Sequence, residues 1–373
     1  MSTILEDIDH GAAALTAAQA EEGAALAQRL LESVGPALEL LTIELGRRHR
    51  LYETIDRLGA ATAAQLADET GVGKRQLAEW LQQQAIAGVL VADDRAERYV
   101  LPESYRPVLL DPTNPLHGAG LAEMFAGIAE TFEDVSAAFP GRGAVAFSDF
   151  GAAVRHGLET IYRPGYTHAL GAWMAHLPDI AARLEQGGIV VDAGCGTGWS
   201  TIALARRFPH ARVVGVDLDE ASVDEARSHA AEAGVADRVS FAAADATDVG
   251  ELARIVGGRA TLVTVFLALH DMNEPQRALS AFAELLQEGG AVLVGDAQVS
   301  DTFTAPAGPL DRMFSAFSVL HCLPATLAEG SGHAHGTVLR APTVAAWARA
   351  AGLADVRRLE IEHPAWSFYR LGV

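Results

Sequence analysis

Ile189-Val190-Val191-Asp192-Ala193-Gly194-Cys195-Gly196-Thr197-Gly198 is the stretch on which the fold turns. Its first residues are β-formers that run on without polar alternation, the pattern of a strand buried on both faces. Three glycines follow at alternate positions, and a helix-forming segment begins near Ser200. Strand, glycine turn and helix in that order belong to an open α/β sheet, whose ligands sit at the carboxyl ends of the strands. Glycines there let the backbone approach a ligand where a Cβ would collide.

Outward from that turn the same alternation repeats. Short β-rich runs at Ile189–Ala193, Arg212–Asp217, Val239–Ala243, Thr261–Phe266 and Ala291–Asp296 alternate with helical patterns near Ser200–Phe208, Glu220–Ala233 and Pro275–Gln287. The tail adds a helix at Thr343–Ala351 and two runs, Val356–Glu362 and Ser367–Leu371, suited to a closing strand pair. The fold class read from this is α/β, a doubly wound, mostly parallel seven-stranded sheet covering 186–373. Toward the N-terminus, residues 1–35 read as a helical arm ended by Gly35-Pro36. Residues 36–105 then give helices followed by a short hairpin, a winged helix, and 106–185 a helical linker or lid interrupted by Pro107, Pro112, Pro115 and Pro140.

Which ligand the turn takes is decided by spacing. A dinucleotide fingerprint places its third glycine at the sixth position, but counting from Gly194 that position is Trp199, and the glycine arrives one residue early, at Gly198. Asp217 ends the second strand 217 − 198 = 19 residues past the last glycine, where a carboxylate can accept from both hydroxyls of a ribose. Asp245 follows the third strand, within reach of an adenine edge. The glycine turn, Asp217 and Asp245 together resemble the class I S-adenosylmethionine-dependent methyltransferases. Arg163-Pro164-Gly165-Tyr166, Leu269-His270-Asp271-Met272, Val319-Leu320-His321-Cys322-Leu323-Pro324 and Trp366-Ser367-Phe368-Tyr369-Arg370-Leu371 extend the resemblance to a bacterial subgroup with an N-terminal winged helix.

The resemblance implies S-adenosyl-L-methionine as cofactor. Asp192, Gly194, Cys195, Gly196 and Gly198 would cradle its methionine part, Asp217 and Leu218 its ribose, Asp245 and Ala246 its adenine, with Phe266 and Tyr166 against it. It also implies methyl transfer to an O, N or C atom of a small-molecule metabolite. The subgroup's pattern carries an acid after the fifth-strand aspartate, where this chain has Ala297, so no role passes to that position. His270 is the candidate base, Asp296 the residue that would orient it or the acceptor, and His321 a candidate of the acceptor pocket. Tyr162, Trp173 and Trp199 are pocket-lining or packing aromatics. Cys195 and Cys322 read as reduced thiols, and His333, His335 and His363 do not make a metal site, so no metal is expected.

Charge narrows the partners. With 28 Lys/Arg against 48 Asp/Glu the net charge is −20, which argues against a nucleic-acid-coating protein and against an anionic membrane. Met1–His10 lacks a cationic stretch followed by an apolar run, so the expected compartment is the cytoplasm. The winged helix carries eight Lys/Arg against eleven Asp/Glu, although Lys74, Arg75 and Gln76 open its second-last element in the manner of a DNA-reading helix. The resemblance implies a homodimer built on this module. Two further readings stand beside methyl transfer: a ligand-sensing winged-helix regulator, and a non-methylating reaction in the same pocket.

Overall fold

The computed structural model describes residues 15–141, 143–330 and 333–373. The chain opens with helix α1 (Ala17–Arg48), capped by Thr16, whose side chain accepts from the Gln19 N–H while Gln19 returns a bond to the Thr16 N–H. This helix does not stop at Gly35-Pro36 as the sequence led us to expect. Pro36 lies inside it, at an exposed position where water can satisfy the carbonyl that loses its helical donor. Residues 11–14 of the expected arm, like 1–10, lie outside the described residues.

Helices α2 (Leu51–Leu58), α3 (Ala63–Thr70) and α4 (Lys74–Ile86) and the hairpin β1 (Val91–Ala92) with β2 (Tyr99–Val100) form the winged helix. Leu51, Tyr52, Ile55, Leu66, Leu77, Leu81 and Tyr99 fill its own core. The next stretch contains α5 (Arg106–Leu109), α6 (Ala119–Glu130), α7 (Phe132–Ala138), α8 (Gly151–His168), α9 (Leu170–Met174) and α10 (Pro178–Glu185). Within it, α6 and α8 pack glycine to backbone: a Cβ at Gly157 would stand 2.7 Å from the Met124 nitrogen, and one at Gly120 2.8 Å from the Gly157 carbonyl. Arg47 of α1 bridges the buried carboxylates of Glu44 and, on α6, Glu123.

The remainder is β3 (Gly188–Ala193), α11 (Trp199–Arg207), β4 (Ala211–Asp217), α12 (Glu220–Glu232), β5 (Val239–Ala243), α13 (Val249–Val256), β6 (Ala260–Phe266), α14 (Pro275–Leu285), β7 (Leu286–Ala297), α15 (Pro309–Phe317), α16 (Leu323–Ala328), α17 (Ala341–Ala350), β8 (Asp355–Leu359) and β9 (Trp366–Gly372). The seven strands lie in the order β5-β4-β3-β6-β7-β9-β8, parallel except for β9, which is antiparallel to both neighbours. Val191, Val214, Val263 and Val292 pack one face against α13, α14 and α17, and Val190, Val213, Leu262 and Leu293 pack the other against α10 and α11. The strand order reverses between β3 and β6, which puts the Gly194–Gly198 turn and the end of β6 on either side of the crevice where such sheets hold ligands. Among the described residues no helix is long and apolar enough to cross a membrane.

Candidate functional site

Three glycines of the turn have left-handed backbone but do different work. A Cβ on Gly194 (φ +71°) would come within 2.3 Å of the Ala268 Cβ, and one on Gly198 (φ +85°) within 2.7 Å of the Ala226 Cβ. These two glycines allow the strand and helix to pack closely. Gly196 (φ +50°) faces nothing within 4 Å, so its backbone is open to a ligand. Its N–H donates to Asp217 Oδ2 at 2.7 Å, while Asp217 Oδ1 accepts from the Asp219 N–H at 2.9 Å. The Asp217 carboxylate is thus fixed under the turn yet half exposed, with lone pairs to spare. Burial raises its pKa above the ordinary carboxylate value, against the pull of those two backbone N–H groups.

Beyond Asp217, Leu218 is 53% exposed. Asp245 is exposed and turned by a bond from the Thr247 N–H at 2.8 Å, with Ala246 half-buried beside it. Cys195 is buried within the turn, a free thiol held well above its usual pKa by burial and by Asp217 and Asp192. An open glycine backbone, a half-exposed carboxylate one strand over and an apolar shelf fit an adenosine-type ligand.

Asp192 stands differently from the expectation that it would touch the ligand. It is 1% exposed, and its oxygens accept from Ser200 (2.6 Å), Thr201 (2.7 Å) and Thr264 (2.7 Å). Three hydroxyls occupy most of its acceptor sites, so it clamps β3, β6 and the start of α11 together from beneath the turn. Sequence reasoning took Ser200 only as the start of a helix and singled out neither Thr201 nor Thr264. A carboxylate in a buried strand followed by hydroxyls eight and nine residues on was the available signal.

Phe266, 5% exposed, ends β6 and packs with Tyr166 (centroids 5.7 Å apart), Trp173 (5.8 Å) and Trp366 (6.1 Å). Tyr166 and Tyr162 come from α8, which is pinned across the start of α11 by Arg163, whose guanidinium lies 3.6 Å over the Trp199 ring, and by Glu159, which accepts from Trp199 Nε1 at 2.8 Å. Burial, and behind it Asp192, raise the Tyr166 pKa well above normal.

The second cluster sits at the ends of β6 and β7. Leu267, directly after Phe266, is forced to φ +50°, a costly conformation for a non-glycine residue, and the following short 3₁₀ turn Leu269–Asp271 presents His270. His270 is 3% exposed, with Nδ1 2.6 Å from Asp296 Oδ1 and Nε2 3.3 Å from Asp271 Oδ1. Burial opposes a charge on this imidazole, but Asp271 and Asp296 together outweigh it and hold its pKa well above the ordinary value. His321 and Cys322 arrive on a single π-helical turn, Ser318–Cys322, between α15 and α16. Such turns displace side chains from helical register and recur at functional sites. Burial lowers the His321 pKa, and its ring packs edge-on against Phe150 at 4.5 Å. His270 and Asp296 thus meet directly and His321 lies close enough to feel the charges of His270 and Asp271, while His335 packs on Trp347 and His363 on Trp366.

The winged helix offers little to a phosphate backbone. Arg75, at the exposed start of α4, is paired with Glu79, and Arg57 with Glu69.

Residues 190–290 match the family model of a methyltransferase domain, and residues 37–110 that of an Rv2258c-like winged helix-turn-helix domain. A ubiquinone biosynthesis O-methyltransferase of Bordetella avium is 34% identical over 168 residues, 45% of this chain and 63% of that protein. The chain spans less than two thirds of the length of such curated relatives. The mitomycin 7-O-methyltransferase MmcR has a similar structure, with TM-score 0.68 and 18% identity over 95% of this chain and 100% of that one. An O-methyltransferase of neocarzinostatin biosynthesis, solved with S-adenosyl-L-homocysteine and 1,4-dihydroxy-2-naphthoic acid, aligns with TM-score 0.57 and 20% identity over 92% and 98%. The chain thus carries a segment that matches a winged helix-turn-helix domain ahead of one that matches a methyltransferase domain, in a fold shared with these solved structures.

Proposed function

We propose that this protein transfers a methyl group from S-adenosylmethionine to an oxygen of a small, partly apolar molecule, with His270 as general base. The observation that carries the reading is the shared edge: the open Gly196 backbone with Asp217, and the His270–Asp296 pair, both lie at the carboxyl ends of the parallel strands. When bound, the cofactor supplies an electrophilic methyl group on a sulfonium. Asp217 and the Gly196 backbone hold it, and Tyr166 and Phe266 keep water from it. Asp296 accepts the Nδ1–H of His270, so the deprotonated ring keeps its Nε2 lone pair for the acceptor's proton; because both neighbouring carboxylates favour the imidazolium, that base form is reached as pH rises. The aromatic wall and His321 surround the acceptor.

Oxygen is preferred to a neutral amine nitrogen because a hydroxyl has to lose its proton as it attacks, the step a buried base serves. We further propose a homodimer in the cytoplasm. Leu26, Leu30, Val34, Leu38 and Leu45 form an apolar row on α1, each about half exposed or more, and both thiols are reduced. Titration calorimetry with S-adenosylhomocysteine tests the cofactor half; absence of binding would sink it. Product mass after incubation with phenolic and enolic acceptors tests the other half, the expected gain being one methyl. Light scattering at micromolar concentration reads the dimer, and a monomer removes it.

A further inference from the structure

The cluster at the end of β6 holds more donors than a proton relay uses. A ring nitrogen of His270, a carboxylate oxygen of Asp271 and Cys322 Sγ lie within 4.8 Å of one another. The edge between Nε2 and Asp271 Oδ1 measures 3.3 Å, against about 3.4 Å between two ligands of a tetrahedral ion with bonds of about 2.1 Å. Behind the imidazole, Asp296 sits 2.6 Å from Nδ1, the arrangement in which a carboxylate fixes the tautomer and orientation of a metal-binding histidine. Asp271 Oδ1 and Asp296 Oδ2 are both buried acceptors without a well-directed hydrogen bond, and each such atom is costly unless something positive satisfies it. Cys322 reaches the cluster because the π turn Ser318–Cys322 rotates it there.

We propose that His270 Nε2, Asp271 Oδ1 and Cys322 Sγ form a site for a zinc-type divalent cation, with Asp296 as the supporting carboxylate. The mixed N, O and S set selects a borderline ion over Mg²⁺ or Ca²⁺, which take oxygen. Binding forms metal–nitrogen, metal–oxygen and metal–sulfur bonds, and the Cys322 thiol releases its proton to solvent. The fourth position stays open to water or to an acceptor oxygen. Because the ion takes the Nε2 lone pair, it and the general base exclude each other, so zinc inhibits methyl transfer. Only this inhibitory consequence rests on the function proposed above; the site itself does not.

The test uses the full chain, stripped with a chelator and titrated with Co²⁺, then with Zn²⁺ in competition. We expect one equivalent of Co²⁺ with a thiolate-to-cobalt charge-transfer band, displaced by Zn²⁺. Cys322→Ser should lose that band and Cys195→Ser keep it; Asp271→Asn should weaken Co²⁺ binding at least tenfold. Absence of the band in the wild type, or its survival in Cys322→Ser, overturns the site. Should Cys322→Ser fail to fold, thermal stability decides: a Zn²⁺-dependent rise in the wild-type Tm that shrinks in Asp271→Asn supports the site, and no rise in the wild type refutes it. Calorimetry with S-adenosylhomocysteine on the same samples keeps the two proposals apart, since lost nucleoside binding with intact Co²⁺ binding fails the functional reading and not this one.

Discussion

The two halves of the candidate site are built from opposite materials. The cofactor half is mostly backbone: three left-handed glycines, the Gly196 N–H, and one carboxylate held from below. The acceptor half is all side chains, His270, Asp271, Asp296, His321 and Cys322, drawn from three separate segments and largely buried. A backbone cradle is spoiled by a Cβ at Gly194 or Gly198 but is indifferent to much of its surroundings, whereas a buried ionic cluster depends on every member being present. The first half is therefore broken by adding atoms and the second by removing them.

The largest expected effect follows from the second rule. His270→Asn should lower kcat by about 10²–10⁴ while S-adenosylhomocysteine affinity, read by calorimetry, stays within twofold. A parallel fall in affinity would show that the halves are not separable. Next, Gly194→Val should strike the cradle itself: a Cβ 2.3 Å from Ala268, in a conformation β-branched residues avoid, should cost about 3 kcal/mol or more of stability in chemical denaturation. Full stability in that variant would contradict the division among the glycines.

Asp217→Ala should weaken S-adenosylhomocysteine about ten- to a hundredfold, the worth of charged hydrogen bonds, with a smaller change in Tm. Asp192→Ala sharpens the contrast from beneath. It strands three hydroxyls and should cost about 2 kcal/mol of stability, with cofactor affinity falling only as far as the turn loosens.

The smallest effect lies outside both halves. Asp179 on α10 takes two 2.6 Å bonds from Arg370 of β9, and these pull its pKa down to about 2. A carboxylate depressed in the folded state stabilises fully above its ordinary value near 4 and loses that contribution as pH falls toward 2. Arg370→Gln should flatten this part of the acid-stability profile slightly, because Asp179 is half exposed and the pair is screened. An unchanged profile would mean the pair contributes nothing.

The same contrast explains what the sequence revealed. Strand, glycine turn and Asp217 are local or one βαβ unit apart, so spacing alone aligns them. His270 and Asp296 were legible as ends of strands, though their 2.6 Å contact bridges 26 residues. The Asp192 clamp was not legible, because an acid beside glycines looks like a ligand contact until its three hydroxyl partners are located. Nor was the meeting of Cys322 with His270 and Asp271, since a π turn leaves no periodic trace and resets which side chains share a face. Pro36 misled for a different reason: proline breaks a helix only where its missing donor matters, and here that position is wet.

An unbroken α1 has a mechanical corollary. Thirty-two residues at about 1.5 Å each make a rod on the order of 50 Å long. Its inner end is bolted by Arg47 to Glu123, and α6 meshes in turn with α8, which carries Tyr162 and Tyr166. Rod and roof are thus coupled members of one frame, and a load borne far out along the arm is transmitted to the ceiling over the glycine turn.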